Sequence, residues 1–236
     1  MKKSDFITLL LFIILAASVS LLFFFERNVQ RVQDTFCLNG RETVVIDAGH
    51  GGEDGGAVGI SGILEKDINL KISEKLRLVM LLFGVDATMT RSDDVALSDD
   101  DIARLRERKI SDMKARVKLV NNTPSATLIS IHQNSFSDSS CYGAQVFYSD
   151  NNANSKTLAE QIQHTLIVGA NKGNKRIAKT ADKNIFVLQK VNCPAVLVEC
   201  GFITNEKEAE LLRSDTYQTK ISVCIAAGYM KNKSEK

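Results

Sequence analysis

Short β-branched runs alternate in this chain with longer stretches whose apolar residues recur at helical spacing, and few architectures accommodate that order. The runs Thr43 to Asp47 (TVVID), Thr127 to Ile131 (TLISI), Ala144 to Tyr148 (AQVFY) and Ala195 to Val198 read as strands. So do Val85 to Thr90 and Asn184 to Leu188. From Lys66, apolar residues at Ile68, Ile72, Leu76, Val79 and Phe83 line one helical face, and Gly84 ends it. Ser98, followed by Asp99, Asp100 and Asp101, reads as an N-cap with acids facing the helix dipole. The helix from there to about Val120 slips phase between Leu105 and Ile110, which predicts a bend or break. Further helices are expected from Asn154 to about Val168 and around Tyr217, Ile221 and Ile225. The pattern predicts an α/β domain with helices on both faces of a sheet. In such sheets the functional site forms beyond the carboxyl ends of strands.

The N-terminus follows a different rule. Phe6 to Phe25 carries no charge in twenty residues, about the length a helix needs to cross a bilayer core. A cleavable signal peptide would place small residues at its end, and Ala16, Ala17, Ser18 and Ser20 are candidates. The apolar run continues past them through Leu21 to Phe25, which favours an uncleaved anchor. Lys2 and Lys3 place the N-terminus in the cytoplasm, so the rest of the chain is expected to be exported and tethered. The expected organisation is a membrane anchor over residues 1–25, a polar linker over 26–42 and one domain over 43–236. The chain has 30 Lys+Arg against 28 Asp+Glu, with no long basic block, so nucleic acid is not an expected partner. Cys37, Cys141, Cys193, Cys200 and Cys224 are odd in number and lack CxxC spacing, which argues against a disulfide scaffold.

Chemistry-bearing residues gather where the fold would place a site. Asp47-Ala-Gly-His50-Gly-Gly follows the first strand, and Ile131-His132-Gln133-Asn134 ends the third. Glu199 ends the last strand, and Glu65 opens the first long helix. Two imidazoles and one carboxylate are a common ligand set for catalytic zinc, and a second carboxylate can move protons. Taken singly, a histidine after a strand is more often a loop or core residue, and a glutamate at a helix start more often a dipole cap. From spacing alone the metal site and these ordinary roles both stay open. His164 lies off the apolar face of its helix and reads as solvated. Cys200 and Glu199 alternate on a strand and so face opposite ways. Only one can enter a site, and Glu199 is the better candidate. The loop Gly49 to Gly56 fits neither phosphate-binding glycine pattern, and Glu53 and Asp54 would repel a phosphate.

Several segments together closely resemble the zinc-dependent N-acetylmuramoyl-L-alanine amidases, whose catalytic domain is often called amidase type 3. These are VVIDAGHGGEDGGAVG, LEKDINLKIS, TMTRSDD, ARVKLVNN, LISIHQNS, GAQVFY and PAVLVECGFITN, in the family's order between Thr43 and Met230. The resemblance implies a twisted, mostly parallel sheet of about six strands. It implies zinc ligands at His50, Glu65 and His132 and a catalytic Glu199. The expected reaction is hydrolysis of the amide joining N-acetylmuramic acid to the L-alanine of the peptidoglycan stem peptide. A short anchor on a bare catalytic domain is most similar to the family's sporulation and germination subgroup. That implies a role in spore cortex maturation, where stripped muramic acid becomes muramic-δ-lactam. Asp47 or Asn134 could orient the ligands, or serve structure only. Gln133 replaces the small residue many relatives carry there, a change that bears on substrate contacts.

Two other functions compete with this one: a non-catalytic wall-binding or scaffold protein on the same fold, and a zinc peptidase cutting within the stem peptide. No wall-binding repeat or occluding helix is evident, so control must come from elsewhere. One form is an active monomer limited by when and where it is made. The other is an exported accessory protein that docks on the domain and stabilises its zinc-bound form.

Overall fold

Alternate residues of single strands enter two different cores, and this places the helices on both faces of the sheet. The computed structural model describes residues 42–98 and 104–234. Its elements, in order, are β1 (Thr43–Ala48), α1 (Glu65–Leu82), β2 (Asp86–Met89), α2 (Leu105–Asn122), β3 (Ala126–Asn134), β4 (Gln145–Tyr148), α3 (Asn154–Gly169), β5 (Lys179–Thr180), α4 (Phe186–Lys190), β6 (Ala195–Phe202), α5 (Glu206–Arg213) and α6 (Asp215–Ser234). Val44, Ile46, Ile129, Ile131, Val196 and Val198 pack on one side with Ile68, Ile72 and Leu76 of α1, Ile162 of α3 and Ile225 of α6. The intervening Val45, Leu128 and Leu197 pack on the other with Val120 of α2 and Leu188 of α4. Strands covered on both faces need apolar residues at consecutive positions, which is why TVVID and TLISI do not alternate with polar ones.

The six strands lie in the order β2-β1-β3-β6-β4-β5. β1, β2, β3 and β6 run parallel; β4 is antiparallel to β6 and parallel to β5. The sheet is therefore mostly parallel, as the resemblance implied. The chain leaves β1 toward β2 on one side and later returns to β3 on the other. That reversal opens a crevice at the carboxyl ends of β1 and β3.

Two expectations are corrected. Asn184 and Ile185 end a turn and Phe186 to Leu188 open α4, and the sixth strand is the short, exposed β5. Ile185 N–H donates to the carbonyl of Asp182 and closes the turn, while the Leu188 carbonyl accepts from Ser149 Oγ. An apolar run this short fits a one-turn buried helix as well as a strand. The cap expected at Ser98 leads into residues 99–103, which lie outside the described residues; α2 is described from Leu105. The break expected between Leu105 and Ile110 is absent, since α2 is one continuous helix from Leu105 to Asn122; it buries only Arg116 and Val120, so its apolar phase carried little information. α5, unread in the sequence, is a charged helix capped by Asn205, whose side chain accepts from the Glu208 N–H.

Cys141, Cys193, Cys200 and Cys224 are free thiols. Among the described residues no helix is long and apolar enough to cross a membrane. The span expected at residues 6–25 and the linker after it lie outside the described residues, apart from Glu42.

Below the crevice an ion pair is sealed into the structure. Asp47 is 1% exposed and Arg116 3%. The Asp47 carboxylate accepts from Arg116 Nη1 at 2.6 Å, Thr90 Oγ1 at 2.8 Å and Ser130 Oγ at 2.6 Å. Burial alone would raise its pKa, but the Arg116 charge, the Ser130 hydrogen bond and nearby His132 outweigh that and hold it at about 2, against an ordinary 3.8. A depressed carboxyl contributes stability above its unfolded value and loses it as pH falls through the folded one. The contribution is about 2 kcal/mol, lost as pH drops from about 4 to about 2. Asp47→Asn should cost about 2 kcal/mol in urea unfolding at neutral pH, because it leaves the buried Arg116 with one carboxylate, Asp112 at 2.6 Å, in place of two. It should also flatten this acid limb; an unchanged limb would assign the acid sensitivity to other carboxyls.

Candidate metal and catalytic site

Each predicted site residue reaches the crevice from a different element. β1 delivers His50 through the glycine-rich loop, α1 delivers Glu65 from its first residue, β3 carries His132, and β6 carries Glu199 directly beside it in register. Glu65 sits at the helix N-terminus, where a carboxylate also favours the dipole. One ligand atom from each of His50, Glu65 and His132 lies within 4.8 Å of the other two. The imidazole centroids are 5.0 Å apart and the rings cross at 74°. Glu65 bridges them, Oε1 at 2.9 Å from His132 Nδ1 and Oε2 at 3.3 Å from His50 Nε2.

The surroundings fix these groups. Asp54 Oδ2 lies 2.8 Å from His50 Nδ1, which turns Nε2 toward Glu65. Lys109 of α2 pairs with Asp54 at 2.8 Å, and Arg108 pairs with Glu53 at 2.7 Å. The two loop acids therefore anchor the loop to α2. Glu65 Oε1 also accepts from the Gln133 N–H at 3.1 Å, and Oε2 from the Ala57 N–H at 2.9 Å. Asn69, one turn along α1, donates to Glu65 Oε1 at 3.4 Å and to the Gly49 carbonyl at 3.1 Å, and accepts from Gln133 Nε2 at 3.1 Å. The His132 ring lies flat against the backbone: a Cβ on Gly49 would fall 2.3 Å from its Nε2, so only glycine fits there.

Charge in the site is strongly coupled. Burial lowers the His50 pKa, but Asp54 and Glu65 outweigh it and raise it to about 9. Burial raises Glu65, and the two imidazoles reverse this and hold it far below the carboxylate range. Glu199 is pushed up to about 7 chiefly by burial. Its Oε2 is sealed from solvent and has no hydrogen-bond partner. A buried carboxyl oxygen without a partner is costly in a finished fold and ordinary in a site awaiting a ligand. The donor set, two imidazoles and a carboxylate whose ligand atoms converge, fits a divalent metal of borderline softness.

The remaining sequence candidates fall as follows. Cys200 points into the apolar core with Val198 and Ile203, opposite to Glu199, and burial raises its thiol. His164 is exposed on α3. Asp47 supports Arg116 rather than a histidine. Asp54 and Asn69 were missed. In the sequence Asp54 counts only as a repellent for phosphate, though its place four residues after His50 in a tight loop is a usable signal. Asn69 lies four residues after Glu65, the spacing that puts two helical side chains together.

A family described as N-acetylmuramoyl-L-alanine amidase matches residues 44–231. The chain is 35% identical over 196 residues to the germination-specific N-acetylmuramoyl-L-alanine amidase of Bacillus subtilis, covering 82% of this chain and 80% of that one. It is 28% identical to the amidase AmiA of Escherichia coli, covering 80% of this chain and 75% of that one. Among solved structures it resembles the CwlD amidase of Clostridioides difficile in complex with the GerS lipoprotein. The TM-score is 0.80 at 40% identity, covering 83% of this chain and 100% of that one.

Proposed function

The chain belongs to the N-acetylmuramoyl-L-alanine amidase family, and on that premise we propose that His50, Glu65 and His132 hold a zinc ion while Glu199 moves the protons. Its reaction is the family's, hydrolysis of the amide between N-acetylmuramic acid and the stem peptide's L-alanine. The observation that carries the reading is the meeting of three ligand atoms within 4.8 Å beside a carboxylate whose Oε2 has no partner.

Zinc held there would supply Lewis acidity toward the scissile carbonyl oxygen and toward water. Glu199 takes a proton from the attacking water as the new C–O bond forms. It returns that proton to the amide nitrogen as the C–N bond breaks, so the amine leaves neutral. A carboxyl near 7 can serve as base and then acid at neutral pH. Asp54 and Asn69 hold the His50 ring and the Glu65 carboxylate in place throughout.

We assign the chain to spore cortex, in support of which stand its likeness to the germination-specific relative and to the Clostridioides difficile amidase. The substrate requires export, and the uncharged run Phe6 to Phe25 would keep the protein at the outer membrane face. An exported accessory protein that stabilises the zinc-bound form is part of this proposal; the Clostridioides difficile relative was solved with a lipoprotein.

One experiment tests the set: cortex and vegetative wall are digested with the purified protein and zinc, with and without co-purifying exported proteins, and products are read by mass spectrometry. New N-terminal L-alanine, released faster from cortex, is expected. A new amine within the peptide would make the protein a peptidase, and no release under any condition a binding module. Full turnover without additions would remove the need for a partner.

A further inference from the structure

Arg91, just after β2, is 4% exposed, and its four recorded hydrogen bonds all end on backbone carbonyls. Nε donates to Ala48 O at 2.9 Å, and Nη1 to Asp93 O at 3.0 Å. Nη2 donates to Gly49 O at 3.1 Å and to Lys66 O at 2.9 Å. Ala48 and Gly49 lead into His50, and Lys66 follows Glu65. One guanidinium thus ties together the two backbone segments that carry these side chains.

The tie acts where the backbone is under load. His50 has φ 62°, a left-handed conformation unfavourable for a residue with a Cβ. Its own carbonyl accepts from Arg116 Nη2 at 2.7 Å, so the carbonyls of residues 48, 49 and 50 are all held by buried guanidinium groups. The next residue, Gly51, leaves room for Arg91: a Cβ there would meet Arg91 Nε at 2.9 Å and the Val95 carbonyl at 2.4 Å. A buried cation that used its charge only for stability would be expected opposite a carboxylate, as Arg116 is opposite Asp47.

We propose that Arg91 is a positioning residue that sets the separation between His50 and Glu65, and thereby the zinc affinity of the site. This rests on the ligand set given above. Arginine is required because its planar fork aims N–H groups at carbonyls on several sides; a lysine ammonium radiates three from one point.

The test uses the full chain. Zinc affinity of Arg91→Lys is measured by chelator competition, its cobalt(II) absorption spectrum is recorded, and urea unfolding is followed without metal. Arg91→Gln is carried in parallel. The expected result is a 10–100-fold loss of zinc affinity, the range seen when groups orienting metal ligands are removed, with an altered cobalt spectrum in protein that is still folded. Parental zinc affinity and cobalt spectrum in a folded but less stable variant would overturn the proposal, as would failure of both variants to fold with metal supplied. His132→Ala serves as control: if it keeps zinc, the ligand set has failed and not the role of Arg91.

Discussion

His132→Ala should lose bound zinc and turnover together. The proposed site has three protein ligands, and removing one leaves a histidine and a carboxylate, too few to hold the ion against dilution. The fold should survive, because His132 is partly exposed at the end of β3 and the core beneath it is untouched. Metal analysis after dialysis, alongside release of muropeptide products, reads both quantities on one sample. His50→Ala should behave alike. Stoichiometric zinc in either variant would show that the ligands are wrongly chosen.

Glu199→Gln should separate what the first substitution joins. The amide keeps the shape of the carboxyl but cannot accept the water's proton, so zinc should remain while turnover falls by about 10²–10⁴-fold. Stability should hold or rise slightly, since a buried, partnerless carboxyl is replaced by a neutral group. Near-normal turnover would move proton transfer to another residue, and loss of zinc would make Glu199 a ligand.

How much of this was legible beforehand depends on the kind of information each element carries. β1, β3 and β6 are buried on both faces, and their unbroken apolar runs announce them. α1 shows its phase because Ile68, Ile72, Leu76 and Met80 all face the core. α2 hid its continuity because almost all of it faces solvent. α4 was mistaken for a strand because five residues cannot express a helical period. His50, Glu65, His132 and Glu199 were findable because the rule on strand ends says where to look. Arg91 and Arg116 were not, because their partners are backbone carbonyls or groups up to 69 residues away; Asp54 and Asn69 lie only four residues from His50 and Glu65, and that spacing was the one signal they gave. Motif-bearing segments such as TMTRSDD and ARVKLVNN were noticed without a role; the roles appear only once the chain has closed on itself.

The site is half inside the protein and half out. The side chains of His50 and His132 are 25% and 20% exposed, whereas that of Glu65 is 5% exposed and Glu199 Oε2 is sealed. Peptidoglycan is a cross-linked mesh whose interior bonds offer no loose end to thread into a deep pocket. A reactive edge along the rim of a sheet can be pressed sideways against such a net, one knot at a time. The carboxylates of Glu65 and Glu199 lie behind that edge, and the partly exposed imidazoles form it.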